Sequence, residues 1–148
     1  NLITRAVFVT PAFRAGGVAA ESFPAESSAD QAREIVTKLL ARAPARRPTA
    51  IFTTSDWVAL AVLDQARRCG VRVPEDLSVV GYDDSLLAEA AGPALTTIQQ
   101  PLRDMGRIGL QRLLGLVNGE HPGPALLPVR LIIRSSTGRP PSAARRIR

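Results

Sequence analysis

Two short β-rich runs that flank one amphipathic helical pattern constrain the fold of this chain more than any other feature. Residues 48–54 and residues 77–82 are each apolar enough for a strand that is buried on both faces. Between them, apolar residues recur at helical spacing over residues 56–69, and Gly70 follows as a helix-terminating glycine. A strand, a helix and a strand joined by short loops form a right-handed βαβ unit. The sequence therefore predicts an α/β fold, with a parallel sheet flanked by helices.

Further elements are indicated on both sides of this unit. A helical pattern opens in residues 26–31, with Ser27 or Ser28 as its cap, and it stops before Pro44. Pro101 opens a third helix, which ends near residues 118–119.

The remaining β-rich segments are less regular. Residues 95–98 are extended, and residues 125–134 form either a strand pair or one bent strand. Residues 7–9 fit a strand or a short helix, and residues 18–23 fit a further strand.

The chain contains one cysteine, Cys69, and one histidine, His121. These counts exclude an intramolecular disulfide and a cysteine-based zinc site, and they disfavour a multi-histidine metal site. We therefore expect no resident metal and no cofactor. No apolar run reaches the length of a membrane span, about 18 residues. The first residues lack an initiator Met and the pattern of a signal peptide, so we expect a piece of a longer protein.

The net charge of +6 lies mainly in one segment. Residues 139–148 carry four arginines and no acid, in a composition typical of a disordered tail. A smaller arginine cluster in residues 42–47 has no aromatic neighbours. We therefore expect no direct recognition of nucleic acid by this chain.

Polar and acidic residues follow both strands of the βαβ unit. The first strand leads into Ser55 and Asp56, and the second leads into Asp83 and Asp84. Parallel strands end at the same edge of a sheet, where ligands of open α/β sheets bind. Carboxylates accept two hydrogen bonds at once, which suits sugar hydroxyls or ring N–H groups. A simpler interpretation stays open, in which Asp56 only caps a helix and the Asp83–Asp84 pair only terminates a strand.

These carboxylates could also serve glycoside hydrolysis or hold Mg²⁺, but no other feature supports either chemistry. The pair Gly16–Gly17 is too short for a phosphate-binding loop, and no G-x-S-x-G motif occurs. No histidine lies near the strand ends. We therefore expect a binding domain and not an enzyme.

Four motifs resemble the LacI/GalR family of transcriptional regulators. Residues 48–56, PTAIFTTSD, are similar to the family segment PTAIFAxND, and residues 70–84, GVRVPEDLSVVGYDD, resemble the signature GxxVPxDxSVxGFDD. Residues 93–101, PALTTIQQP, resemble PxLTTxxQP, and residues 126–137, LLPVRLIIRSST, resemble the closing pattern LPxxLxxRxST. The motifs occur in the family's order, and the resemblance covers residues 26–138.

The resemblance implies a periplasmic-binding-protein-like domain of type I, truncated so that mostly its C-terminal subdomain is present. Residues 1–95 would then be an incomplete C-terminal subdomain, and residues 96–125 a crossover and helix that belong to the N-terminal subdomain. Residues 126–138 would return to the C-terminal subdomain. Thr96 and Thr97 would act as a hinge, where extended backbone absorbs closure.

The resemblance also implies ligand-binding residues. Asp83 matches a family acid that binds effector hydroxyls, and Asp56 matches the acid that follows a ligand-binding Asn. Ser55 replaces that Asn, a departure from the residue associated with the usual sugar preference. Leu102 stands where some members have an aromatic wall. Arg5 corresponds to an arginine that clamps the ligand, although its spacing and the residues after it differ from the family pattern.

The function implied is effector sensing in a cytoplasmic, homodimeric DNA-binding regulator. A sugar or related small metabolite would bind in the cleft and alter the operator affinity of a helix-turn-helix that these residues do not include. The alternative is the solute-binding protein of a sugar transporter, which shares the fold. The helix of residues 56–69 has more apolar residues than one buried face needs. Either a partner chain or the returning C-terminal segment should therefore cover part of this helix. We expect a homodimer whose contact includes this helix or the strand at residues 126–134.

Overall fold

The computed structural model describes Gly17, residues 20–23 and residues 28–140. The interpretations of Arg5, of residues 7–9 and of residues 141–148 lie outside this described part. In chain order the elements are α1 (Ala29–Leu40), a short 3-10 turn (Pro44–Arg46), β1 (Ala50–Phe52), α2 (Asp56–Arg68), β2 (Ser78–Val80), α3 (Leu86–Ala90), β3 (Thr97–Gln99), α4 (Leu102–Val117) and β4 (Arg130–Ile132).

The βαβ unit predicted from the sequence is formed by β1, α2 and β2. The two strands are parallel, with Ile51 opposite Val79. Ser55 is the N-cap of α2, and its hydroxyl accepts a hydrogen bond from the backbone N–H of Val58 at 3.3 Å. Beyond the helix, Gly70 has a φ of +70°, a left-handed conformation that glycine adopts at little cost. The α/β fold class is therefore confirmed.

α1 lies against α2, and this contact accounts for much of the surplus apolar surface of α2. The sequence predicted that a second subunit or the C-terminal segment would cover that surface. Instead, Val36 and Leu40 of α1 share one buried cluster with Val62 and Leu63 of α2. Trp57, at the start of α2, stays 58% exposed.

Among the described residues, all the buried apolar ones except Leu39 form one cluster, which extends from α1 through α2 to β2 and α3. Its members are Ala32, Val36, Leu40, Val58, Ala59, Ala61, Val62, Leu63, Ala66, Val71, Leu77, Val79, Ala88 and Leu95. The core thus lies around the βαβ unit.

Two segments, residues 95–101 and residues 126–138, connect this unit with α4, and we call them the first and second crossing segments. The first pairs in parallel with the end of β2, through Thr96 opposite Val80 and Gln99 opposite Asp83. Its strand β3 also pairs with β4 in antiparallel orientation, with Ile98 opposite Leu131. The segment that contains β3 is therefore hydrogen-bonded both to the βαβ unit and to the returning strand.

The structure differs from the sequence predictions at three places. α3 was not predicted, because five residues are too few to show a helical period. The segment 125–134 contains one short strand, β4, and not a strand pair. Residues 20–23 have no regular structure, whereas a strand was predicted there; Glu21 instead forms an exposed ion pair with Arg42.

α4 presents a largely exposed apolar surface. Among its residues, Gly115 is the one classed as buried. The large apolar residues exposed on α4 and around β4 are Leu102, Met105, Leu110, Leu113, Leu114, Leu116, Val117, Leu126, Val129, Leu131 and Ile133. Within the described residues, no helix has the length and apolar character needed to cross a membrane.

Candidate functional site

The loops that follow β1 and β2 meet at one edge of the sheet, as the strand directions predicted. The backbone N–H of Thr53 donates to the carbonyl oxygen of Val80 at 2.9 Å. The backbone N–H of Asp56 donates to the carbonyl oxygen of Tyr82 at 2.8 Å. The polar residues after the two strands are therefore held side by side.

Asp56 is buried at this edge, with 1% of its surface exposed. Its Oδ1 accepts a hydrogen bond from Thr97 Oγ1 at 2.6 Å, and its Oδ2 accepts one from the backbone N–H of Ser85 at 2.7 Å. Gly81 gives the carboxylate room, because a Cβ at residue 81 would collide with Asp56 Oδ1 and lie 2.8 Å from Leu95 Cδ2. Asp56 thus links α2 to the crossing segment and to the start of α3.

Ser55, and not Asp56, supplies the cap of α2. Its hydroxyl accepts from the N–H of Val58, and its carbonyl oxygen accepts from Thr53 Oγ1 at 2.9 Å. The side chain is half-buried beside Asp56. A hydroxyl group retains a donor besides the acceptor used in capping, so capping and ligand contact are compatible.

Asp83 and Asp84 occupy a backbone conformation that L-residues rarely adopt. Their φ angles are +120° and +54°. The N–H of Asp83 donates to the carbonyl oxygen of Ile98 at 2.9 Å, and its Oδ1 accepts from Gln100 Nε2 at 2.7 Å. Asp83 is half-buried, in contrast to the buried Asp56. Backbone strain of this kind clusters at functional sites.

Asp84 is held by three groups from the crossing segments. Its Oδ1 forms an ion pair with Arg134 Nη2 at 2.7 Å, and its Oδ2 accepts from Gln99 Nε2 at 2.8 Å. Its backbone N–H donates to Thr97 Oγ1 at 3.3 Å. Arg134, Gln99 and Gln100 were not predicted from the sequence as partners of the two acids. Arg134 stands in the closing motif and the glutamines in PALTTIQQP, but neither motif specifies a partner.

The two threonines assigned to the hinge are buried where the crossing segments meet. The N–H of Thr96 donates to Ser136 Oγ at 2.8 Å, and the N–H of Arg134 donates to Thr96 Oγ1 at 3.0 Å. Leu102, the first residue of α4, is 62% exposed. It follows Gln100, the partner of Asp83, by two residues.

The site contains no preformed metal centre in the part of the chain that the structure describes. No group of three or more His, Cys, Asp or Glu side chains there is arranged to hold a metal ion. The polar groups of the edge are suited to hydrogen bonding with an uncharged or cationic small molecule.

A parallel sheet with carboxylates at its strand ends is the arrangement in which open α/β sheets bind ligands. The family model described as the periplasmic binding protein-like domain matches residues 6–137. The chain therefore belongs to the periplasmic binding protein-like domain family, in the form carried by LacI-family transcriptional regulators. This result confirms the resemblance carried by the four sequence motifs.

A curated relative is the HTH-type transcriptional repressor CytR of Escherichia coli strain K12. It is 47% identical over 92 residues, which cover 61% of this chain and 27% of CytR. The HTH-type transcriptional regulator DegA of Bacillus subtilis strain 168 is 41% identical over 113 residues, which cover 74% of this chain and 32% of DegA. The matches thus span about a third or less of each of these two relatives.

Solved structures of LacI-family regulators have the same fold. A regulator from Bifidobacterium animalis subsp. lactis has a TM-score of 0.79 at 33% identity, over 90% of this chain and 48% of that chain. The complex of the regulator CelR with cellobiose has a TM-score of 0.72 at 37% identity, over 85% of this chain and 39% of CelR. The dimeric Lac repressor with an 11-residue C-terminal deletion has a TM-score of 0.68 at 37% identity, over 76% of this chain and 41% of the repressor.

Proposed function

We propose that this chain is part of the effector-sensing domain of a DNA-binding transcriptional regulator, and that its effector is a carbohydrate or a related small metabolite. The observation that carries the proposal is the half-buried Asp83 carboxylate at the joined ends of two parallel strands. A carboxylate at such an edge accepts hydrogen bonds from sugar hydroxyls. The similar regulator CelR was solved with cellobiose, which supports the choice of ligand class.

In this proposal, Asp83 is the main acceptor for the effector, and Ser55 contributes its hydroxyl beside it. Leu102 and Arg5 are proposed as further contacts from outside the βαβ unit. Asp56 acts chiefly as a positioning residue, because Thr97 and Ser85 already engage both of its carboxylate oxygens.

We also propose that residues 96–125 belong to a second subdomain, which opposes residues 28–95 across the effector cleft. The support is the set of large apolar residues exposed on α4, because contiguous exposed apolar surface commonly marks a contact with another part of a protein. The occupant we propose is the remainder of that subdomain, since this chain spans about half of the solved regulator from Bifidobacterium. Residues 126–138 would then return to the first subdomain, where the N–H of Val79 donates to the carbonyl oxygen of Ser136.

Effector binding would change how the two subdomains sit about the hinge at Thr96 and Thr97, and this change would alter the operator affinity of a helix-turn-helix elsewhere in the protein. We propose a cytoplasmic homodimer with no enzymatic activity. The dimeric Lac repressor among the similar structures supports the oligomeric state. The named relatives favour a regulator over a transporter solute-binding protein.

The test is a DNA mobility-shift assay on the complete protein that contains this chain. The DNA is the region upstream of its own gene, with a shuffled sequence as the control, and the added sugars are glucose, sucrose and cellobiose. We expect sequence-specific binding that one of these sugars changes in the wild type but not in D83A. A protein that binds both DNA sequences equally, with or without each sugar, would contradict the proposal.

A further inference from the structure

We propose that Arg134 and Asp84 are positioning residues that hold Asp83 in the conformation in which it receives the effector. The proposal rests on the function proposed above for Asp83. It adds two residues that need not touch the ligand themselves, and it assigns a function to the arginine of the closing motif.

The ion pair between these residues is the most shielded one at the sheet edge. Arg134 Nη2 lies 2.7 Å from Asp84 Oδ1, and the two side chains are 19% and 13% exposed. Exposed ion pairs contribute little, because water and salt screen them. In a shielded pair, removal of one partner is more destabilising, because the other charge is left buried without an opposite charge.

Arg134 links the turn that contains Asp83 to the start of the first crossing segment. Its Nη1 donates to the carbonyl oxygen of Leu95 at 2.9 Å, while its Nη2 holds Asp84. One planar guanidinium therefore bridges the beginning of the first crossing segment and the turn after β2. A lysine has a single charged group in place of this fork, so it would not reproduce both contacts.

The turn needs such a restraint because of its backbone. Asp83 and Asp84 both have positive φ angles, where the Cβ of an L-residue approaches its own backbone. Conformations of this kind persist when the surrounding contacts over-determine them. At Asp84 those contacts are Arg134, Gln99 and Thr97, which all belong to the crossing segments.

The same arginine also ties the turn to the proposed hinge. Its backbone N–H donates to Thr96 Oγ1 at 3.0 Å, and Thr96 Oγ1 bonds to the Arg134 carbonyl oxygen at 3.3 Å. Arg134 thus contacts both the neighbour of Asp83 and the hinge residue Thr96. A ligand that binds Asp83 would act directly on the segments that lead to the second subdomain.

The test is amide hydrogen exchange, measured by mass spectrometry on the complete protein that contains this chain. The peptide of interest covers residues 80–86, and the reference peptide covers residues 58–66 in the core of α2. We expect exchange of the amides at residues 83–85 to be about tenfold faster in R134Q, with the reference peptide unchanged. R134K keeps the charge near Asp84, and its exchange rate at residues 83–85 should lie between those of R134Q and the wild type.

R67Q is the matched control, because Arg67 forms an exposed ion pair with Asp64 at 2.8 Å. It should leave both peptides unchanged. If R134Q does not fold, the same exchange measurement is made on D84N, since this substitution removes the charge and keeps the shape of the side chain. Faster exchange at residues 83–85 with an unchanged reference peptide is again the expected result. Unchanged exchange at residues 83–85, or equally faster exchange in both peptides, would overturn the positioning role.

Calorimetry with glucose, sucrose and cellobiose separates this proposal from the function on which it rests. For a sugar that the wild type binds, R134Q should bind about tenfold more weakly and R67Q should bind equally. A wild type that binds none of them, and whose DNA binding responds to none, would contradict the proposed function. The exchange measurement would still decide whether Arg134 positions the turn.

Discussion

The hydroxyl of Thr97 donates to Oδ1 of Asp56 at 2.6 Å, and both residues are almost completely buried. This bond joins the first residue of α2 to β3, which lies 41 positions further along the chain. The carboxylate, which the family resemblance assigns to ligand contact, is therefore part of the internal hydrogen-bond framework of the site. Asp83, its counterpart after β2, remains half-buried.

The first prediction concerns this bond. We expect T97V to lower the free energy of unfolding by about 1–3 kcal/mol, because valine leaves an oxygen of the buried Asp56 carboxylate without its donor. Urea-induced unfolding of the complete protein measures the change. T37V is the control, since Thr37 is exposed and bonds within its own helix and to Gln65. An equal effect of the two substitutions would show that the Asp56 contact has no special role.

Gly81 provides a second test of the same framework. We expect G81A to destabilise the protein by about 1–3 kcal/mol, because the new methyl group would collide with Asp56 and Leu95. G123A should have a small effect, since a Cβ at residue 123 meets nothing within 4 Å. Thermal unfolding of both variants is the measurement. If G81A were as stable as G123A, the close approach of Asp56 to β2 would be wrong.

The third prediction is a pH dependence of stability from the surface of α2. A hydrogen bond from Arg67, together with Arg68, lowers the pKa of Asp64 below its ordinary value of 3.8. Because the folded-state pKa is the lower one, this contribution is fully present above pH of about 4 and is lost as the pH falls through the folded pKa. We expect the wild type to unfold at a higher temperature than D64N near neutral pH, and the difference to shrink in acid and in high salt. A difference that grew toward low pH would contradict this assignment.

The fourth prediction concerns DNA. We expect the isolated 148-residue chain to bind the upstream DNA of its own gene no better than shuffled DNA. Its basic excess lies mainly in residues 139–148, so any binding should be independent of sequence and should weaken steeply with salt. Fluorescence anisotropy at two salt concentrations measures both properties. A clear preference for one sequence would require a recognition element within this chain.

The elements that the sequence predicted correctly are those encoded by neighbouring residues. The cap at Ser55, the glycine after α2 and the apolar pattern of two short strands are local signals, and the strand directions then bring Ser55 and Asp83 to one edge. The local patterns predicted only the α/β class, and the family motifs indicated which α/β fold the chain adopts.

The contacts that complete the site could not be predicted in this way. Arg134 and Asp84 are 50 positions apart, and their pairing depends on the register of two crossing segments. The different contacts of Asp56 and Asp83 also depend on strand register, because Thr97 bonds to Asp56 and Gln100 bonds to Asp83. The cover on α2 was assigned to a second subunit or to the C-terminal segment, because the amphipathic pattern of α1 does not reveal which helix it packs against.

The most direct test of the account is calorimetric titration of the complete protein with the sugar that changes its DNA binding. The comparison is between the wild type, D83A and E34Q, in which Glu34 is an exposed residue paired with Lys38 on α1. We predict that D83A binds the sugar about tenfold to a hundredfold more weakly, as loss of a charge-assisted hydrogen bond implies, and that E34Q binds it as the wild type does. Equal affinity of D83A and the wild type would contradict the assignment of this sheet edge as the effector site.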